Sequence, residues 1–122
     1  MSERTSILIA DDDREITSTL NEFLSGEEYS VKIANDGEEA ISLLRSETFQ
    51  IVILDLKMPK VDGFKILHLI KRVYKGTKVI VLTAYADLKN VTKCRELGAD
   101  DVIEKPYEMG DLFDSIEFLK EK

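Results

Sequence analysis

The chain has 122 residues, 43% of them hydrophobic and 34% charged, with a net charge of −7. That is enough apolar material for one folded domain over residues 1–122, and the pattern is not that of a disordered segment. The negative balance argues against direct binding to nucleic acid or to an anionic membrane surface.

The predicted elements run as follows. The first strand is Ile7–Ala10, followed by "DDD" and a helix over 14–25 with Ile16, Leu20, Phe23 and Leu24 on one face. Asp13 reads as the N-cap of that helix. The second strand is Val31–Ala34, and Ala40, Ile41 and Leu44 mark a helix over 37–46. The third strand is Ile51–Leu54, and Phe64, Leu67 and Ile70 mark the inward face of a helix over 63–74. His68 falls between them and is expected to face solvent. The fourth strand is Val79–Leu82, with a helix over 87–97 that Gly98 ends. The fifth strand is Asp101–Glu104, with a last helix over 108–121.

No apolar run here approaches a bilayer span, and the opening "MSERTS" lacks the apolar core of a signal peptide. Cys94 is the single cysteine, so no intramolecular disulfide forms; it reads as a small buried hydrophobe. A soluble cytoplasmic chain is expected.

Five strand–helix alternations predict an α/β domain with a parallel sheet. "IVIL" and "VIVL" are apolar throughout, as central strands covered by helices on both faces must be. In such a sheet, functional groups collect at the carboxyl ends of the strands. The residues leaving those ends are Asp11 and Asp12, Asp55, Thr83 and Ala84, and Lys105 before Pro106.

Each alone has a bland reading as a cap, a turn residue or a solvated charge. Together, three carboxylates and a lysine around one cleft suit a hard divalent cation such as Mg²⁺, which takes oxygen ligands from carboxylates and phosphates. Without a cation, at least one carboxylate should have a raised pKa. Lys105, the Thr83 hydroxyl and the Ala84 N–H would meet a phosphoryl group. Asp55 would serve as both metal ligand and nucleophile.

The stretches "ILIADDD", "IVILDLKMPKVDGF", "VIVLTAYAD" and "GADDVIEKPYEMGDL" make the chain resemble, over nearly its whole length, the receiver domain of two-component response regulators. The resemblance implies a flavodoxin-like, doubly wound fold of five parallel strands in the order 2-1-3-4-5. It implies that Asp55 is the phosphoacceptor, that Asp12, Asp55 and the Lys57 backbone carbonyl hold Mg²⁺, and that Asp11 acts through a metal-bound water. Thr83 and Lys105 would follow the phosphoryl group, and the Lys105–Pro106 bond would be cis. Met58, Pro59 and Gly63 fit the loop after the third strand, where glycine allows unusual φ.

The implied partners are a histidine kinase or phosphotransfer protein and a downstream protein or output domain. The output surface would be the face of the fourth helix, fifth strand and fifth helix, with a possible phosphorylation-dependent dimer. Val102 stands where many receivers have an aromatic ring, so switching is expected to rest on Thr83 and the loop after it. Lys57 and Tyr85 flank the expected water approach, and Tyr107 reads equally as cover for the last helix or as a partner contact.

Three competing readings remain weaker, one of them a pseudo-receiver that only binds proteins, against which the complete acceptor set argues. A Mg-dependent aspartyl-phosphate phosphohydrolase usually carries an acid–base Asp two residues after its nucleophile, where this chain has Lys57. A flavin binder needs a phosphate loop after the first strand, where "ADDDREI" is acidic.

Overall fold

The structure is a computed structural model that describes residues 4–26 and 28–122. The first half of the "MSERTS" opening therefore lies outside the described residues. The elements are β1 (Thr5–Ala10), α1 (Arg14–Ser25), β2 (Tyr29–Ala34), α2 (Gly37–Ser46), β3 (Ile51–Leu54), α3 (Gly63–Val73), β4 (Lys78–Thr83), α4 (Leu88–Glu96), β5 (Asp101–Glu104) and α5 (Met109–Leu119). All strand pairs are parallel, and the sheet order is β2-β1-β3-β4-β5.

Alternation along each central strand divides the core into two layers. Leu8, Ala10, Val52, Leu54, Val79 and Val81 face α2, α3 and α4, where they meet Ala40, Leu44, Ile66, Leu67, Ile70 and Cys94. Ile7, Ile9, Ile51, Ile53, Ile80 and Leu82 face α1 and α5, where they meet Leu20, Leu24, Leu112, Ile116 and Leu119. Strands buried on both faces explain why these runs show no polar alternation.

Several boundaries differ from the sequence reading. Thr5 and Ser6 pair with Tyr29 and Ser30, which extends β1 and β2 towards their N-termini. Thr83 pairs with Glu104 and so belongs to β4 itself. Asp87 and Glu108 are caps outside their helices, and Tyr74 caps the end of α3.

Phe23, expected on the inward face of α1, is 40% exposed. Leu20 and Leu24 take the inward positions, and Phe23 packs edge-on against Phe113 of α5 with ring centroids 5.9 Å apart. Phe64 sits at the rim of its core layer rather than deep inside, and Ile66 takes the deep position. Cys94 is fully buried, and burial raises its thiol pKa. His68 is exposed. Among the described residues, no helix is long and apolar enough to cross a membrane.

Candidate functional site

Backbone pairing continues one residue beyond the strands and fixes the acidic residues in place. Asp11 N–H donates to the Ala34 carbonyl at 3.1 Å, and Asp55 N–H donates to the Ala10 carbonyl at 2.9 Å. Because Ala10 lies beside Leu54 in the register, Asp11 and Asp55 emerge side by side. Asp12 joins them from the next position. One carboxylate oxygen from each of Asp11, Asp12 and Asp55 lies within 4.8 Å of the other two. Asp11 and Asp55 are buried, at 2% and 6% exposure, and Asp12 is open to solvent.

The fourth member arrives from β5. Lys105 N–H donates to the Thr83 carbonyl at 2.8 Å, so β4 positions the residue that follows Glu104. The Lys105 ammonium lies 2.8 Å from Asp11 Oδ2 and 3.6 Å from Asp55 Oδ2. It is the internal counterion of the cluster, which is what lets two buried carboxylates share an edge. The Lys105–Pro106 peptide is cis.

The charges are not balanced evenly. Burial pushes the Asp55 pKa from 3.8 up to about 6, and the neighbouring Asp11 charge adds to the rise. Lys105 and the Lys57 N–H, 3.4 Å from Asp55 Oδ1, pull the other way and are outweighed. Burial alone would depress Lys105, but its hydrogen bond to Asp11 and the charges of Asp11 and Asp55 hold it above its ordinary value. The raised carboxylate expected from the sequence is therefore Asp55.

The other residues singled out by the sequence take the following places. Thr83 is fully buried, and its Oγ1 accepts the Tyr85 N–H at 3.0 Å. Ala84 is exposed, with its backbone at the same edge. Lys57 and Tyr85, read separately as two flanks, meet each other: the Lys57 ammonium stands 5.3 Å from the centre of the Tyr85 ring. Val102 is half-buried against the layer of α2, α3 and α4. Tyr107 is half-buried against the opposite layer, where burial raises its phenol pKa, so it serves as core cover.

The loop after β3 corrects one expectation. Gly63 has no positive φ; the left-handed residue is Lys60, at φ 77°. Gly63 is required by close approach instead, because a Cβ there would lie 2.5 Å from Leu56 Cα and 2.7 Å from the Asp55 carbonyl oxygen. A larger residue would push on the segment that carries Asp55.

The donor set fits Mg²⁺. Its three carboxylates are hard oxygen donors close enough to share one ion, and two of them, Asp11 and Asp55, are already stripped of most of their water. Three carboxylates stand against the one Lys105 ammonium, which leaves negative charge for a cation to neutralise.

Comparisons with known proteins point the same way. The family model described as "Response regulator receiver domain" matches residues 7–117. The chain is 42% identical over 101 residues to the transcriptional regulatory protein CpxR of Escherichia coli strain K12, covering 83% of this chain and 43% of that protein. It thus spans less than half the length of that relative. It is 34% identical over 110 residues to sporulation initiation phosphotransferase F of Bacillus subtilis strain 168, covering 90% and 89% of the two chains. Among solved structures, a CheY-like response regulator receiver domain protein from Methanospirillum hungatei JF-1 superposes with a TM-score of 0.92 at 34% identity, over 98% of this chain and 96% of that one.

Proposed function

The chain belongs to the response regulator receiver domain family, and from that premise we propose that it acts as one phosphoacceptor unit over residues 1–122, with Asp55 as the acceptor. The observation that carries this reading is the buried Asp11–Asp55–Lys105 cluster, with Asp55 at its centre and Asp12 at its mouth. A histidine kinase or phosphotransfer protein supplies the phosphoryl group, and a downstream protein or output domain reads the result. The reading places the chain in the cytoplasm, where a buried free cysteine suits a reducing compartment.

In the proposed reaction an Asp55 oxygen attacks phosphorus in line with the donor. The new Asp55 O–P bond forms as the donor's N–P bond breaks, and the histidine leaves with the bonding pair. Lys105 exchanges its contact with Asp11 for a phosphoryl oxygen, a charge-assisted hydrogen bond that strengthens as charge reaches the acceptor. The Thr83 hydroxyl and the Ala84 N–H bind the other oxygens from the β4 edge. Asp11, Asp12, Asp55 and the Lys57 carbonyl would hold Mg²⁺, which when bound neutralises charge between the carboxylates and the phosphoryl group. The chain catalyses only its own phosphorylation and dephosphorylation. Lys57 stands where a phosphohydrolase would carry its acid–base carboxylate.

Incubation with acetyl phosphate and Mg²⁺ tests the proposal. Intact-mass spectrometry should show a single added phosphoryl group. No addition under saturating donor and Mg²⁺ would remove the phosphoacceptor reading.

Signal output should follow Thr83. In the described state its hydroxyl is engaged by the Tyr85 N–H, so a phosphoryl group must draw that hydroxyl, and the loop after it, inward. The surface affected would be α4, β5 and α5, including any phosphorylation-dependent dimer contact there. Beryllofluoride, a phosphoryl mimic, should shift amide resonances across residues 83–107. Thr83→Ala should confine the shifts to the acidic pocket; unchanged distant shifts in that variant would take Thr83 out of the coupling.

A further inference from the structure

The loop of residues 55–62 is held from outside by the start of α2. The Gly37 N–H donates to the Pro59 carbonyl at 3.2 Å. Asp36 caps α2 by accepting the Glu39 N–H at 2.8 Å, and it also faces the Lys60 ammonium at 3.5 Å. Lys60 itself is held at φ 77°, a conformation a lysine keeps only when its surroundings fix it.

The tightest point is Gly37. A Cβ built there would lie 2.5 Å from Val61 Cβ and 3.0 Å from Val61 Cα and N. No side chain fits between the first residue of α2 and this loop. On its inner side the same loop carries Lys57, whose N–H reaches Asp55 Oδ1, and Leu56, whose carbonyl accepts the Gly63 N–H at 3.1 Å. The loop is therefore gripped at Pro59, Lys60 and Val61 by α2, and at Leu56 by α3. Displacement at Val61 has to be passed along the short segment towards Lys57 and Asp55.

We propose that Gly37 is a positioning residue for the metal site: its missing side chain sets the spacing between α2 and the loop, and through it the place of the Lys57 carbonyl beside Asp12 and Asp55. The inference rests on the reading of those groups as Mg²⁺ ligands. Gly37 has no positive φ, and alanine is the better helix former. The helix alone would therefore tolerate Gly37→Ala, so a loss of Mg²⁺ affinity reports on the contact with Val61.

The test is titration of Mg²⁺ into the wild type, Gly37→Ala, Val61→Gly and the double variant, read by calorimetry and by the rise in melting temperature. Gly37→Ala should raise the Mg²⁺ Kd about tenfold, the scale seen when a group supporting a ligand is lost. Val61→Gly should weaken binding by loosening the same contact. The double variant should recover part of the wild-type affinity, because losing the Val61 Cβ relieves the 2.5 Å contact while the 3.0 Å approaches to Val61 Cα and N remain. If Gly37→Ala does not fold, the comparison of Val61→Gly with the double variant decides, and an affinity not restored even in part by the methyl overturns the proposal. Equal Kd in wild type and Gly37→Ala overturns it alone. A wild type that binds no Mg²⁺ overturns the reading of the site and the proposal with it.

Discussion

Asp55→Asn should abolish phosphoryl uptake and, without metal, raise the stability of the protein at neutral pH by about 1–2 kcal/mol once solvent screening is allowed for. The first effect follows because an amide is not a competent nucleophile. Acetyl phosphate and Mg²⁺ should leave the mass of the variant unchanged, and a fully modified variant would move the acceptor elsewhere. The second effect follows from the pKa of Asp55, raised from 3.8 to about 6 by burial and by Asp11. The folded carboxyl holds its proton more tightly than the unfolded one. Stability is therefore lost as pH rises from about 4 to about 6, and the loss persists above that window. Asparagine does not ionise and escapes this cost. Urea unfolding in a chelator should show wild type and variant alike near pH 4 and the variant more stable at pH 7.5. Saturating Mg²⁺ should narrow the gap, since an ion that binds only the native state stabilises the wild type. A gap that is the same at both pH values would show that the Asp55 charge is not the source.

The second large effect concerns how long the phosphoryl group survives. Hydrolysis needs a water in line with phosphorus, opposite the Asp55 oxygen. Lys57 and Tyr85 would close over that approach together, since the Lys57 ammonium stands 5.3 Å from the Tyr85 ring centre. A cation over an exposed ring is worth about 0.5–1 kcal/mol, enough to favour the closed arrangement without locking it. Neither side chain is the carboxylate or imidazole that usually takes a proton from such a water. A long-lived phosphoryl state is expected, relative to receivers with small polar residues at both positions. Lys57→Asn with Tyr85→Ala should speed loss of phosphate about tenfold, equal to about 1.4 kcal/mol in the barrier. The measurement is decay of the phosphorylated mass after donor removal, with Mg²⁺ saturating. Because the two side chains touch, the single variants should be non-additive. Equal or slower decay in the double variant would show that these groups do not gate the water.

The architecture was legible because it rests on signals of short range. Apolar runs at Ile51–Leu54 and Val79–Leu82 give double-sided burial, and strand–helix alternation gives parallel pairing. The strand order came from the family resemblance, since periodicity alone cannot rank strands. Residues leaving the strand ends were legible for the same reason: the sheet brings Asp11, Asp55, Thr83 and Lys105 to one edge wherever the helices lie. What the sequence hid depends on pairs distant along the chain. Nothing local says that Lys105 rests on Asp11, that Lys57 and Tyr85 touch, or that Gly37 meets Val61. Phe23 sits at the edge of its stripe, which a 3.6-residue period marks without saying which member lies outermost. Gly63 needs space rather than φ freedom, a distinction visible only once the neighbouring backbone is placed.

One further property comes from the caps. Asp13, Asp36, Asp62 and Asp87 cap α1 to α4, each by accepting backbone N–H groups. Every one of these helix starts lies at the sheet edge that also carries Asp11, Asp12 and Asp55. Asp13 is the only N-cap read from the sequence, yet the four with Asp11, Asp12 and Asp55 outnumber the Lys57, Lys60 and Lys105 ammonium groups at this edge and make it an anionic rim. Such a rim filters arrivals by charge before any contact is made. Divalent cations are drawn in, whereas a small anionic phosphodonor approaches uphill. A donor protein that presents basic residues around its phosphohistidine is steered downhill. Added salt should therefore speed phosphorylation by acetyl phosphate at saturating Mg²⁺ and slow transfer from such a protein, with the opposite pair of trends counting against the rim as a filter.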